Sequence, residues 1–172
     1  MNCILFRHGI AAEREAWEGN EMDRPLTEKR AKRVIQAAKG LLSLGIRPTH
    51  LVTSPLVRAQ ETATLLQEGF GARVSTKICD ELLPDAPPAT ILPLLDVLPP
   101  RSCVICVGHE PYLGEAAGLL LFGKPTAGLS LKKAGACFIE MPDVIKPGRG
   151  RLRWWLTPTQ LRTMGKVWDE ES

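Results

Sequence analysis

The sequence has few aromatic residues and little net charge, and both shortages argue against a nucleic-acid partner. Phe, Trp and Tyr make up 5% of the 172 residues, and 22 Lys and Arg against 19 Asp and Glu leave a net charge of +3. A nucleic-acid site combines a basic stripe with aromatic side chains that stack on bases. We therefore expect no nucleic-acid partner, and we interpret the basic clusters at 29–33 and 149–153 as a solvated helix face and a strand edge.

Long apolar runs are also missing. The longest run, residues 116–122, is broken by glycine and is far shorter than the roughly 20 residues that cross a bilayer. Residues 3–6 are too few for the apolar core of a signal peptide and have no basic lead. Five cysteines are an odd number, so we expect no disulfide framework. These features together predict a cytoplasmic protein with reduced thiols and no membrane partner.

Length and composition fit one domain over residues 1–172, with 44% hydrophobic residues to fill its core. Only the last residues, from Lys166 onward, have the composition of a tail. Strand-like and helix-like patterns alternate, which predicts a three-layer α/β/α domain with a mostly parallel sheet. The predicted strands are 2–6, 51–53, 74–78, 103–107, 136–141 and 152–156, the last two joined as a hairpin. The predicted helices are 27–44 capped by Thr27, one opened by Ser54 as N-cap with Pro55 as first helical residue, 88–98, and 115–122.

Polar residues follow three of these strands at or near the point where each ends. Arg7 and His8 come after the first strand, Arg58 lies one turn into the helix after the second, and His109 follows the 103–107 strand. In open α/β sheets, ligands bind in the crevice at the carboxyl ends of the strands. Each residue alone would more often be structural, but two arginines and two histidines converging there predict an anion site, because guanidinium groups match phosphate oxygens.

Histidine supplies the chemistry that such a site needs. Neutral imidazole has a free lone pair, and its unperturbed pKa of about 6.5 leaves it mostly neutral at physiological pH. We predict that His8 is a nucleophile in phosphoryl transfer, with Arg7, Arg58 and His109 binding the phosphoryl group. No cluster of Asp, His or Cys with ligand spacing lies near the three motifs, so we expect neither a metal nor a cofactor.

Other conspicuous residues have simpler interpretations. Cys103 and Cys106 are three apart on a strand, so they point to opposite faces and do not form a metal or redox pair. Trp154 and Trp155 also point to opposite faces and are expected to pack. Arg24 lies either at the rim of the pocket or in an anchor between loop and helix.

The chain resembles the histidine phosphatases, which have the phosphoglycerate mutase-like fold. The resemblance rests on Arg7-His8-Gly9 after an amino-terminal strand, on residues 54–62 (SPLVRAQET) and on residues 107–111 (VGHEP). Within that superfamily it is most similar to the SixA-type phosphohistidine phosphatases, through its short length, residues 24–27 (RPLT) and residues 152–158 (LRWWLTP). Arg30 stands where that group often has glycine. The resemblance implies that His8 becomes transiently phosphorylated while Arg7, Arg58 and His109 hold the phosphoryl group.

The general acid is harder to assign. The mutase-like branch has a glutamate between the second and third motifs, which makes Glu81 the candidate here, with Asp80 and Asp85 as fallbacks and a solvated acidic turn as the alternative.

Few residues remain between Glu81 and the 103–107 strand to build a lid, and an open pocket suits a phosphorylated side chain on a protein. We therefore predict a metal-independent phosphohistidine phosphatase that acts on a phosphoprotein. The alternatives are a phosphatase of a small phosphate ester and a non-catalytic phosphate-binding module on the same fold.

Overall fold

A six-stranded sheet runs through the centre of the protein. The computed structural model describes residues 1–71 and 74–171, without the side chains of residues 28, 29 and 171. The strands are β1 (Asn2–Arg7), β2 (His50–Thr53), β3 (Ser75–Ile78), β4 (Cys103–Gly108), β5 (Ala136–Glu140) and β6 (Arg151–Leu156). Their spatial order is β3-β2-β4-β1-β5-β6. Strands β3, β2, β4 and β1 are parallel to one another, whereas β5 runs antiparallel to both β1 and β6.

Helices cover both faces of the sheet. They are α1 (Glu28–Ser43), α2 (Val57–Phe70), α3 (Ile91–Asp96), α4 (Tyr112–Phe122) and α5 (Pro158–Glu171). Buried residues of α1, α2 and α5 form one apolar cluster with one face of the sheet, and those of α3 and α4 form a second cluster with the other face. The predicted α/β/α fold with a mostly parallel sheet is confirmed. Of the helices in the described ranges, none is both long enough and apolar enough to cross a bilayer.

The two faces of the sheet separate residues that are close in sequence. Cys103 packs in the apolar cluster formed with α1, α2 and α5, and Cys106 packs in the cluster formed with α3 and α4, as strand alternation predicts. Trp154 and Trp155 divide between the same two clusters. All five cysteines are free and buried.

Two helix starts differ from the prediction. The helix after β2 begins at Val57 with Leu56 as N-cap, not at Pro55 with Ser54 as cap. The Ser54 hydroxyl instead pairs with the ring of His109, at 2.8 Å, and its contact to the Leu56 N–H is 3.4 Å long. Helix α4 begins at Tyr112, three residues before the predicted start.

The expectation of a tail from Lys166 onward is wrong for residues 166–171, which belong to α5. This helix packs against α1 at two glycines, Gly40 of α1 and Gly165 of α5. A Cβ at Gly40 would lie 2.0 Å from the Leu161 carbonyl oxygen, so only glycine permits this approach. An ion pair of 2.7 Å between Lys39 and Asp169 ties the end of α5 to the same helix. Contacts between α5 and α1 therefore stabilise this segment, and the composition of the segment alone does not reveal them.

Candidate active site

The carboxyl ends of β1, β2 and β4 meet at one edge of the sheet, because these strands are parallel neighbours. The backbone continues this pairing beyond the strands: the His8 N–H donates to the Gly108 carbonyl and the Ser54 N–H to the Val107 carbonyl, both at 3.0 Å. The first turn of α2 then brings Arg58 to this edge. His8, Arg58 and His109 are 5%, 6% and 2% exposed, and Arg7 beside them is half-buried.

The hydrogen bond of His8 fixes its tautomer. Nδ1 lies 2.6 Å from the Gly9 carbonyl oxygen, which can only accept, so Nδ1 carries the proton. Nε2 is then left with its lone pair. Burial, the His109 ring and the cationic Arg58 and Arg7 lower the pKa of His8 to about 2, although the Gly9 carbonyl acts in the opposite direction. The ring is therefore neutral and nucleophilic at physiological pH.

The second histidine stands beside the first, with ring centroids 4.9 Å apart and ring planes at 50°. Nε2 of His109 pairs with the Ser54 hydroxyl, and Nδ1 is buried without a partner. Burial, Arg58 and Arg7 lower the pKa of His109 to about 3. When the serine hydroxyl donates to Nε2, Nδ1 of neutral His109 carries a proton that it can offer to an anion.

The two arginines reach the cluster from different sides. The Arg7 Nη1 donates to the Leu131 carbonyl at 2.7 Å, and the Arg58 Nη1 to the Glu21 carbonyl at 3.0 Å. Burial lowers the pKa of both guanidinium groups, while Glu110 opposes this shift at Arg7 and Glu21 opposes it at Arg58. Guanidinium groups stay charged in proteins, so each brings a full positive charge into a desolvated place.

Unpartnered donors concentrate at this cluster. Within the described residues, four buried side-chain polar atoms have no hydrogen-bond partner: Arg7 Nε, Arg58 Nε, His109 Nδ1 and Thr27 Oγ1. Three of the four belong to the predicted site. A buried polar group without a partner costs free energy, and such groups concentrate where a ligand supplies the missing bond. The arrangement is suited to an anion with several oxygens.

Glu21 is a site residue that sequence reasoning missed. Its carboxylate lies 3.3 Å from the Arg58 Nη1, and Arg24 holds it with two bonds, of 2.8 and 3.0 Å. Hydrogen bonding to Arg24 lowers the pKa of Glu21. Arg24 also donates to the Ala12 carbonyl at 2.6 Å, so it anchors the loop and, through Glu21, is linked to Arg58. The only sequence signal for Glu21 is its position three residues before Arg24.

Residues of the SPLVRAQET and VGHEP segments hold the loops in place. The Thr62 hydroxyl accepts from the Gly9 N–H at 2.9 Å and donates to the Arg58 carbonyl at 2.6 Å, so it joins the nucleophile loop to α2. The carboxylate of Glu110 accepts from the Leu131 and Gly114 N–H groups, at 2.7 and 3.2 Å. Because Leu131 also accepts from Arg7, Glu110 fixes the backbone that positions that guanidinium.

Glu81 lies in the short 3₁₀ turn Asp80–Leu82, with its side chain exposed. This turn borders the end of β4: the Leu82 carbonyl oxygen would be 3.6 Å from a Cβ at Gly108. Burial raises the pKa of the Cys79 thiol, and the Glu81 carboxylate contributes to that shift by a hydrogen bond. Asp80 and Asp85 are exposed as well. Proton donation by Glu81 stays a prediction.

Comparison with known proteins finds related sequences. The family model of the histidine phosphatase superfamily (branch 1) matches residues 3–82. An uncharacterized protein of Picosynechococcus sp. is 37% identical over 138 residues, which cover 78% of this chain and 82% of that protein.

Solved structures share the fold. The protein histidine phosphatase SixA, determined in complex with tungstate, superposes with a TM-score of 0.81 at 21% identity, over 94% of this chain and 99% of that one. A mycobacterial glucosyl-3-phosphoglycerate phosphatase, determined with vanadate, superposes with a TM-score of 0.66 at 19% identity, over 91% of this chain and 99% of that one.

The fold is that of phosphatases whose structures have been solved. The chain belongs to the histidine phosphatase superfamily.

Proposed function

We propose that this protein hydrolyses phosphohistidine on a protein substrate through a phosphohistidine intermediate at His8. The observation that carries the proposal is the set of unpartnered buried donors, Arg7 Nε, Arg58 Nε and His109 Nδ1, beside the lone pair of His8 Nε2. A phosphoryl group bound there would satisfy these donors while its phosphorus faces a nucleophile. Phosphoryl transfer requires mainly positioning and charge on the transferred oxygens, and this set provides both.

The first step exchanges one P–N bond for another. His8 Nε2 forms a bond to phosphorus while the bond to the substrate imidazole breaks, and its electron pair returns to that imidazole. The substrate ring carries a proton on its other nitrogen, so it leaves as neutral imidazole. An alkoxide would instead need a proton delivered as the P–O bond breaks. An imidazole leaving group therefore suits a site in which the acid candidate, Glu81, is exposed.

In the second step, water attacks phosphorus and the bond to Nε2 breaks. The Gly9 carbonyl holds the proton on Nδ1 throughout, so His8 leaves as neutral imidazole and is ready for another cycle. The water oxygen stays on phosphorus. One of the two water protons remains on it, and the other passes to another oxygen of the phosphate product or to the solvent. No redox change occurs in either step.

A protein substrate is supported by how the segment after Glu81 is used. Its helix α3 places Ile91, Leu94 and Leu95 in the core below the sheet, so this segment contributes to packing and leaves little chain for a lid. A side chain that projects from a protein surface needs no lid to be held. The likeness to SixA, which is named a protein histidine phosphatase, supports the same substrate class.

The test compares three substrates with one enzyme batch: a phosphohistidine peptide, the same peptide with phosphoserine, and a sugar phosphate. We expect kcat/KM for phosphohistidine to exceed the other two by at least tenfold. His8→Ala, prepared in parallel, reports contaminating phosphatase. A preference for the sugar phosphate would favour the small-ester alternative, and binding of phosphate without turnover of any substrate would favour a non-catalytic module.

A further inference from the structure

A basic cavity adjoins the nucleophile loop on the side facing α1 and α5. It has a volume of about 190 Å³, and its lining includes Gly9 and Ile10, the two residues that follow His8. Four cationic side chains line it: Arg30 and Arg33 from α1, Lys133 from the loop before β5, and Arg162 from α5. We call this the α1–α5 cavity.

The charge in this cavity is not balanced by the protein. No acidic residue is among its described lining residues, and none of the four cations forms an ion pair with a described side chain. Arg162 has one long contact, 3.4 Å, to the Thr159 hydroxyl. Arg30 and Arg162 are half-buried, so the expectation that residues 29–33 form only a solvated face is wrong for Arg30. Like charges around one cavity repel each other, and an anion would relieve this repulsion.

The topology places this cavity on the same edge of the sheet as the phosphoryl site. Strand β5 starts at this edge because it is antiparallel to β1, and β6 ends here because it is antiparallel to β5. The residue after Leu156 therefore leads into the first turn of α5, whose Pro158 and Thr159 line the cavity. The positive end of a helix dipole adds to the four cations. The Ala134 N–H also donates to the His8 carbonyl at 3.1 Å, so one loop borders both places.

We propose that the α1–α5 cavity is a second anion subsite, which binds a carboxylate side chain of the substrate protein close in sequence to the phosphohistidine. This inference rests on the proposed function. Gly9 and Ile10, which directly follow His8, line the cavity, so a substrate segment held at His8 would pass it within a few residues. Extended chain advances about 3.3–3.6 Å per residue, so a glutamate two to four residues from the phosphohistidine can reach it. The volume is several times the roughly 30 Å³ share of one liquid water, which is enough for a carboxylate.

The experiment compares two phosphohistidine peptides. One carries Glu and the other Gln at the positions two to four residues before and after the phosphohistidine. Four proteins are used: wild type, Arg30→Gln/Arg162→Gln, Arg33→Gln/Lys133→Gln, and the control Lys32→Gln/Lys166→Gln. The control removes one exposed charge from each of the same two helices, at positions that do not line the cavity. The measured quantity is the ratio of kcat/KM for the Glu peptide to that for the Gln peptide, which cancels a general loss of activity.

We expect wild type and control to prefer the Glu peptide by about tenfold, mainly through KM, and both cavity variants to lose most of that preference. The wild-type preference should shrink as salt is raised, since partly exposed charges are screened. An equal preference in the cavity variants and the control would overturn the proposal, because it would reduce the effect to net charge. Absence of any preference in wild type would also overturn it.

Failure of the proposed function would be visible separately. The same Glu and Gln comparison is made on phosphoserine peptides, so the cavity is tested even if phosphohistidine is not hydrolysed. The Arg33→Gln/Lys133→Gln variant alters only exposed side chains, and it keeps the test decisive if the half-buried pair is needed for folding.

Discussion

The hydrogen bond from His8 Nδ1 to the Gly9 carbonyl decides which nitrogen of the nucleophile can react. With Nδ1 protonated, only Nε2 can form a bond to phosphorus. We predict that brief incubation with labelled substrate leaves an acid-labile, alkali-stable label on residue 8, attached to Nε2, and that His8→Ala loses turnover while keeping its fold. Mass spectrometry of the trapped enzyme and circular dichroism of the variant are the measurements. A label on cysteine, or an active variant, would contradict the assignment.

Arg58 illustrates how much a guanidinium differs from an ammonium group. Its Nη1 already contacts Glu21, whereas its buried Nε has no partner in the protein. One nitrogen of the guanidinium therefore holds Glu21, and another is free to bind the phosphoryl group. A lysine supplies one point charge and cannot do both. We expect Arg58→Lys to lower kcat/KM on the order of a hundredfold, the loss typical of one donor to the transition state. Arg47→Lys, at an exposed site away from the cluster, is the control. A loss within about threefold for Arg58→Lys would remove this residue from the phosphoryl site.

Glu81 is best tested through the leaving group. An alkoxide requires a proton and a protonated phosphoimidazole does not, so Glu81→Gln should harm hydrolysis of alkyl phosphate esters at least tenfold more than hydrolysis of phosphohistidine. The measurement is the ratio of variant to wild-type kcat/KM on each substrate. Equal losses would give Glu81 a structural role, and no loss on either substrate would leave Asp80, Asp85 or water as the proton source.

At the scale of elements, the junction between the nucleophile loop and α2 depends on one buried hydroxyl. Thr62 is fully buried, accepts from the Gly9 N–H and donates to the Arg58 carbonyl. Thr62→Val keeps the shape and removes both bonds. An unsatisfied buried donor costs about 1–3 kcal/mol, and a shift of the nucleophile by a fraction of an ångström should lower kcat roughly tenfold or more.

Two further variants separate this positioning role from a loss of packing. Thr62→Ser retains the hydroxyl and should restore kcat and most of the free energy of unfolding, measured by urea denaturation. Thr64→Val removes an exposed hydroxyl from the same helix and should change neither quantity measurably. If Thr62→Ser were as impaired as Thr62→Val, the methyl group and not the hydroxyl would be the important part.

The elements also explain which features the sequence could reveal. Arg7 ends β1, and His8 and His109 directly follow β1 and β4. Parallel strands end at the same edge, so the proximity of these residues was predictable. The contact of Glu21 with Arg58 depends on the path of a loop that has two short 3₁₀ turns and no periodic pattern. The start of α2 depends on His109, 55 residues away, which engages the Ser54 hydroxyl. The ends of strands can be predicted from the local sequence, whereas the contacts of Glu21 and Ser54 exist only in the folded chain.

At the scale of the whole molecule, the two buried histidines link the site to acid stability. Their pKa values of about 2 and 3 lie far below the 6.5 of an unfolded histidine. Between pH 6.5 and about 3 the unfolded chain therefore binds protons that folded His8 and His109 do not. Since stability rises with pH wherever the unfolded state binds more protons, it must fall as the pH decreases below 6.5.

We predict that this loss amounts to about 2.7 kcal/mol for each histidine at pH 4.5, on the basis of about 1.4 kcal/mol per pH unit. Urea denaturation of wild type and of His8→Asn/His109→Asn from pH 7 to pH 4.5 is the measurement. Carboxylates titrate in both proteins and cancel in the difference, so the slope of the double variant should be shallower by close to two protons. His50→Asn, at the opposite end of β2 and away from the two arginines, is the control for replacing a histidine as such. Parallel curves for wild type and the double variant would mean that folded His8 and His109 take up protons over the same pH range as unfolded histidines, and the two buried rings would then make no contribution to acid sensitivity.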